Sequence, residues 1–256
     1  LSFGAQFDAR FEPTPGLVFQ GNIRKQLSEN ISGLPVSGSA LPRVRTDSGR
    51  YTAAGDLMLN SLTATKYFRP GGDLFGRVSL GYFEPMFGGV SGELLWKPVD
   101  SRLGLGLEVN YAQQREFEQG FGFRDYGLMT GHASAYYEGR NDFLYQVDAG
   151  RYLAGDWGAT FGIDREFDNG IRIGAFATFT DVSFDDFGEG SFDKGIRFQI
   201  PIAALTGTRA QSTISRVIRP IQRDGGARLV VGSRLYEQVR QYRQPQLQGQ
   251  WGRFWR

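Results

Sequence analysis

Residues 102–115, RLGLGLEVNYAQQR, set Leu103, Leu105, Leu107, Val109 and Tyr111 in unbroken alternation with Gly104, Gly106, Glu108, Asn110 and Ala112. Successive side chains of a strand point to opposite faces, so one face of this segment is oily and the other carries a carboxylate, an amide and glycines. Ordinary soluble strands run about 5–6 residues. A run about twice that length matches the roughly 9–11 residues with which a tilted strand crosses a bilayer. Either lipid bathes the oily face and water the polar one, or the oily face lines a core and the polar one meets solvent.

The pattern recurs along the chain. Phe3, Ala5, Phe7, Ala9 and Phe11 alternate with Gly4, Gln6, Asp8 and Arg10, and after the turn PTPG, Leu17, Phe19, Gly21 and Ile23 alternate with Gln20, Asn22 and Arg24. Further runs lie near 50–65, 73–83, 89–97, 102–114, 127–138, 142–152, 156–167, 170–180, 191–200 and 212–221. Most links are too short for a parallel crossover, so the expected fold is all-β: an antiparallel transmembrane-type β-barrel or half-barrel of about twelve strands. Asn169-Gly170 predicts a type I′ hairpin turn, and the slipped alternation around Gly174 predicts a bulge. Phe11, Tyr67, Phe68, Trp96, Tyr111, Tyr152 and Phe167 near strand ends fit interfacial girdles. On this register Leu105→Arg or Leu107→Arg should impair assembly far more than Glu108→Gln.

The bulk numbers agree with this reading. The chain has 256 residues, 36 of them Gly, with 14% aromatics and no Cys. A polar mean hydropathy beside many aromatics is what a membrane barrel gives, because only every second strand residue meets lipid. No run of about 18 apolar residues offers a transmembrane helix, and the missing cysteines leave no disulfide framework or thiolate chemistry. The chain opens directly in a strand, LSFGAQFDARFE, so a removed leader or preceding domain and further upstream strands are expected. The odd links are mostly compact, whereas several even links are long or acidic, as in a barrel with short turns at one rim and long loops at the other.

The net charge of +2 hides an asymmetry. From residue 209 onward there are ten Arg, no Lys, and only Asp224 and Glu237 as acids, which gives +8 and leaves −6 for residues 1–208. The expected organisation is a β portion over 1–222 and a basic tail over 223–256. Helical spacing appears only in SRLYEQVRQY, with Leu235, Val239 and Tyr242 on one stripe and Ser233 as N-cap, predicting a short helix at about 233–243. Arg234, Arg240 and Arg243 beside that stripe are candidates to dock on acids such as Glu108, Asp148 and Asp164.

Catalytic and metal motifs are nearly absent. The polar face supplies lumen-lining candidates Glu108, Asn110, His132, Ser134, Asp148, Asp164 and Arg172. His132 and Ser134, two apart, resemble the spacing in an outer-membrane phospholipase, but they share the polar face with Thr130 and Tyr136, which fits satisfied interior groups better than a nucleophile and base. The acidic loop Asp181, Asp185, Asp186 and Glu189, with Asp193 beyond it, lacks the fixed spacing of a calcium loop. No metal, cofactor or nucleic-acid role is expected, since an acidic β portion would go unexplained by nucleic-acid binding.

Several segments carry a resemblance. Residues 150–201, GRYLAGDWGATFGIDREFDNGIRIGAFATFTDVSFDDFGEGSFDKGIRFQIP, together with GYFEPMFGGVSGELLWKP, QREFEQGFGFRDYGLMTGHASAYYE, RDGGAR and QWGRFWR, resemble the YjbH family of exopolysaccharide-biosynthesis proteins over roughly residues 50–256. The resemblance implies a longer protein with a lipoprotein signal and a Gram-negative outer-membrane barrel. It also implies a Wza-like export lipoprotein and small periplasmic proteins as partners, beside polysaccharide, membrane lipid and lipopolysaccharide. No catalytic residue comes with it. A non-catalytic conduit for polysaccharide is therefore expected, with a scaffold or plug of the export complex, or a lipid hydrolase using His132 and Ser134, as alternatives.

Overall fold

The computed structural model describes residues 2–29, 40–54, 57–167, 169–183, 186, 192–202, 213–220, 223–232 and 234–240. Twelve antiparallel strands follow one another: β1 (Ser2–Thr14), β2 (Leu17–Glu29), β3 (Leu57–Phe68), β4 (Leu74–Tyr82), β5 (Phe87–Trp96), β6 (Leu103–Arg115), β7 (Phe123–Glu138), β8 (Phe143–Arg151), β9 (Trp157–Glu166), β10 (Arg172–Thr180), β11 (Asp193–Pro201) and β12 (Thr213–Ile218). The helices whose bounds fall within the described residues are α1 (Ser48–Ala53) and α2 (Leu235–Val239). The sheet order is the sequence order, and among the described residues no pairing joins β1 to β12. Among the described residues the fold is therefore all-β and antiparallel as expected, with its first and last strands not paired to each other.

The chain divides into two compact units. The first gathers Leu1–Leu34, Gly49–Gly131 and Leu229–Arg256, and so holds β1 to β6, the start of β7, and α2. In its β6 the opening alternation is realised: Leu105, Leu107, Val109 and Tyr111 are 44–54% exposed, while Glu108 and Asn110 are 2% and 1% exposed. The oily face looks outward and the polar face inward. That is the inverse of a soluble sheet, whose one buried face is its apolar one.

The expected strand over 50–65 begins only at Leu57, because residues 48–53 form α1. Tertiary contacts decide this. Tyr51 is buried, its hydroxyl donates to Arg115 O at 2.5 Å, and Gln119 Nε2 donates to Tyr51 O at 2.6 Å. Arg115 at the end of β6 is itself buried and donates to the carbonyls of Glu84 and Gln119 at 2.9 and 2.8 Å.

The second unit holds Pro35–Ser48 and His132–Arg228. Its strands keep the same alternation, with Tyr145, Val147, Trp157, Phe161, Ile163, Ile173 and Phe179 exposed and Asp148, Asp164, Thr178 and Asp193 buried. Three local expectations are corrected here. No bulge lies at Gly174, since β10 pairs with β9 and β11 without a shift; the described bulges are at Phe3/Gly4, Phe11/Thr14 and Asn22/Ile23. The apparent slip is Phe176, an aromatic on the polar face with Arg197 and Arg219 over its ring at 5.8 and 5.0 Å. At 169–170 only Gly170 takes positive φ, so the turn is not type I′; that geometry belongs to Asn141 and Asp142, at φ 56° and 61°, in the link from β7 to β8. Tyr152, expected in a girdle, is fully buried and donates to or accepts from Thr160 Oγ1 at 2.6 Å.

Charges on the outward face are sparse and sit toward strand ends, as in Lys66 of β3, Asp125 of β7, Arg165 of β9 and Lys194 of β11. The rule lapses at β12, which is exposed on both faces and carries Arg216 between Ile214 and Ile218.

Candidate functional site: the buried polar face

In the first unit, antiparallel pairing sets Arg77 of β4 opposite Glu93 of β5, and Glu93 opposite Glu108 of β6. Three charged groups thus meet on adjacent strands. Arg77 is completely buried and donates to Glu93 Oε2 at 2.8 Å, Ser79 Oγ at 2.9 Å, Ser91 Oγ at 3.2 Å and Glu108 Oε2 at 3.5 Å. Asn110 Nδ2 donates to Glu108 Oε1 and to Thr130 Oγ1, each at 3.2 Å. Two carboxylates against one guanidinium would leave an uncompensated buried charge.

The second cation comes from the tail. Arg234 grips Glu108 with Nε at 2.7 Å and Nη2 at 3.1 Å, and Nη2 also donates to Leu229 O at 2.7 Å. The next residue completes the arrangement: the Leu235 N–H, first of α2, donates to both Glu93 oxygens at 3.0 and 3.2 Å. A carboxylate at a helix N-terminus satisfies an orphan donor, so Glu93 does for α2 what a capping side chain would. Leu235 and Tyr236 are buried, and Tyr236 lies over Gly104, where an added Cβ would stand 3.5 Å from its ring. Of the expected helix at about 233–243 the described part is Leu235–Val239; Ser233, Tyr242 and Arg243 lie outside the described residues. Arg240 is buried and pairs with Glu237 at 3.7 Å.

In the second unit the RDGGAR segment is fixed by acids and backbone. Asp224 Oδ1 accepts the N–H groups of Val44, Arg45 and Thr46 at 2.9, 2.7 and 3.0 Å, and Oδ2 accepts the Thr46 hydroxyl at 2.7 Å. Gly226 N–H donates to Asp156 Oδ2 at 2.7 Å, and Leu153 N–H to Ala227 O at 2.8 Å. Gly226 takes φ 69°, and a Cβ there would stand 2.7 Å from Thr178 Cγ2, so only glycine fits. Burial raises the Asp156 carboxyl above the usual range, against the lowering by the Gly226 N–H. Burial likewise pushes the Tyr152 phenol up to about 12.

The acids expected to face the helix find other partners. Asp148 pairs with Arg228 at 2.8 Å and accepts from Ser134 Oγ at 2.5 Å and Gln146 Nε2 at 2.7 Å. Asp164 pairs with Arg197 at 2.8 Å, and Asp193 with Arg219 at 3.3 Å. Ser134 Oγ donates to Asp148 at 2.5 Å, and the His132 ring packs edge-on against Tyr152 at 4.7 Å. Arg172 is half-buried on the same face as Thr178. Asp181 accepts from the Trp157 N–H at 2.9 Å and Asp186 from Ser183 Oγ at 2.6 Å. Asp185 and Glu189 lie outside the described residues, among which no three acidic or imidazole groups converge on a metal-sized site. No described helix is long and apolar enough to cross a membrane.

Sequence reasoning missed Arg77, Arg197 and Asp224. Arg77 could have been found by folding the hairpin on paper: it is in phase with Ser79 and falls opposite Glu93. Asp224 gave no such signal, because its partners lie about 180 residues away.

Residues 1–241 match the family model described as YjbH, "Exopolysaccharide biosynthesis protein YbjH". The match includes β1 and β2 and stops short of the closing QWGRFWR. Over 233 residues the chain is 36% identical to the "Uncharacterized lipoprotein YjbH" of Escherichia coli (strain K12), covering 88% of this chain and 33% of that protein. The chain thus spans about a third of the length of this curated relative. No solved structure matches it.

Proposed function

From the premise that the chain belongs to the YjbH family of exopolysaccharide biosynthesis proteins, we propose that it is a membrane-embedded β-sheet portion of an outer-membrane component that passes polysaccharide outward without catalysis. The observation that carries this is the inversion of polarity. Leu105, Leu107, Val109, Phe161 and Ile163 face outward while Arg77, Glu93, Glu108, Asp148 and Asp164 are buried, and lipid is the solvent that suits such a surface. The name lipoprotein borne by the Escherichia coli relative agrees with attachment to a membrane. In this reading the sheet closes into a barrel with strands from the rest of the full-length protein, and hydroxyls of the sugar chain exchange weak, repeated hydrogen bonds with the polar face. A Wza-like export lipoprotein, small periplasmic proteins and lipopolysaccharide are its proposed surroundings.

A second reading, a plug or scaffold of the export complex, has its own support. The tail occupies Glu93 and Glu108, the groups a passing glycan would otherwise meet. Planar-bilayer conductance of the full-length protein, with and without residues 233–256, separates the two. A conducting wild type supports the conduit; conductance only after deletion supports the plug. A full-length protein that stays monodisperse without detergent and shows no heat-dependent gel shift would overturn both.

A further inference from the structure

Arg165 is out of character with the face it occupies. It is exposed on the outward side of β9 with Phe161 and Ile163, and Phe167 follows just beyond the strand. Its cross-strand neighbours are Phe143 on β8 and Ile173 on β10. The guanidinium lies over the Phe143 ring at 5.4 Å and over the Phe167 ring at 5.0 Å. Among the described residues it forms no ion pair, although the half-buried Arg197 and Arg228 of the same unit pair with Asp164 and Asp148. Phe143 stacks on Tyr145 at 6.4 Å, and Tyr145 meets Tyr137 at 6.5 Å, so aromatic rings continue from the cation along the exposed face.

A solvated surface cation needs none of this apolar framing. On a lipid-facing strand, however, a cation is costly at the bilayer midplane and tolerated near the interface, which is where the next-to-last residue of β9 would sit. There the two rings hold the plane of the guanidinium while its N–H groups remain for an acceptor. A planar fork of donors matches two oxygens of a phosphate, which an ammonium does not. Ile163, Ile173 and Tyr145 beside it offer a surface for acyl chains rather than for a free ion.

We propose that Arg165, clamped between Phe143 and Phe167, binds the phosphate of an anionic glycerophospholipid and seats that lipid against β8 to β10. The proposal rests on the membrane reading above. It is tested on the full-length protein in detergent, equilibrated with mixed micelles holding equal phosphatidylglycerol and phosphatidylcholine, with retained lipid counted by native mass spectrometry. Wild type should retain phosphatidylglycerol about fivefold over phosphatidylcholine. Arg165→Gln should erase the preference, Arg165→Lys should keep part of it, and excess inorganic phosphate should not displace the lipid. A preference unchanged in Arg165→Gln overturns the site, and displacement by inorganic phosphate overturns its assignment to lipid. The heat-dependent gel shift is recorded on the same preparations. A normal shift without lipid preference defeats this inference alone, whereas loss of the shift in wild type defeats the membrane reading with it.

Discussion

Glu108→Gln removes one of two carboxylates from a cluster whose cations are Arg77 and Arg234. Glu108 receives Arg234 at 2.7 and 3.1 Å and Arg77 at 3.5 Å, with its own side chain 2% exposed and that of Arg234 22% exposed. Breaking a buried pair by removing one partner costs about 3–5 kcal/mol, because the other charge is left uncompensated. The exposed edge of Arg234 places the expected loss at the low end, about 3 kcal/mol. Arg234→Gln removes the charge-assisted bonds but leaves Arg77 between two carboxylates, and should cost about 2 kcal/mol. The double variant leaves Arg77 facing Glu93 one to one at 2.8 Å. Its cost should therefore fall short of the sum by about 1.5–3 kcal/mol. Urea unfolding of the full-length protein in micelles gives these values, and hydrogen exchange at the Leu235 amide reports release of α2 from Glu93. Additive costs, with unaltered exchange at Leu235, would refute the coupling. The outcome also decides between sequence and structure, since the alternation alone ranks Glu108→Gln as mild.

Three further outcomes are expected. Leu107→Arg, in the middle of β6 with its side chain 54% exposed, should cost about 2–4 kcal/mol in a bilayer and lower the inserted fraction, whereas Leu107→Phe should not; equal insertion of all three would place that face in water. Gly226→Ala forces a Cβ to 2.7 Å from Thr178 Cγ2 at φ 69° and should cost about 1–3 kcal/mol, with the added Thr178→Ser recovering the steric part only, as read by thermal unfolding. Tyr152 has its phenol raised from 10.0 to about 12, so its contribution is complete below pH 10 and is lost as pH rises toward 12. Wild type should lose about 2–3 kcal/mol across that window and Tyr152→Phe much less; parallel alkaline unfolding curves would contradict the assignment.

The strands were legible because a period of two survives any tertiary context in which the two faces meet different media. Leu103 to Tyr111 and their polar partners needed no further information. Positions where one side chain serves a distant partner were not legible. Residues 50–53 become helix because Tyr51 reaches Arg115, and Phe176 breaks the pattern because two arginines cover it on the polar face. The type I′ turn moved from Asn169-Gly170 to Asn141-Asp142, both of them residue pairs that tolerate positive φ, so the local sequence alone did not rank them. The acids of the polar face were identified individually, but their cations depend on distant parts of the chain, 80 residues on for Arg228 against Asp148 and 33 residues on, two strands across, for Arg197 against Asp164.

Lipid contact of the outward face is the central claim, and β6 offers the most direct measurement of it. These 256 residues contain no cysteine, so a thiol introduced singly at positions 105 to 111 has no competitor among them, and any thiol elsewhere in the full-length protein is blocked before labelling. With a nitroxide on each, in the full-length protein reconstituted in bilayers, collision rates with oxygen and with a water-soluble nickel chelate distinguish lipid, protein and water. Oxygen accessibility should peak at 105, 107, 109 and 111 with the nickel chelate excluded there, and both should fall at 106, 108 and 110. Nickel collisions as frequent as oxygen collisions at 105, 107 and 109 would mean that water bathes this face, and the membrane account would be lost.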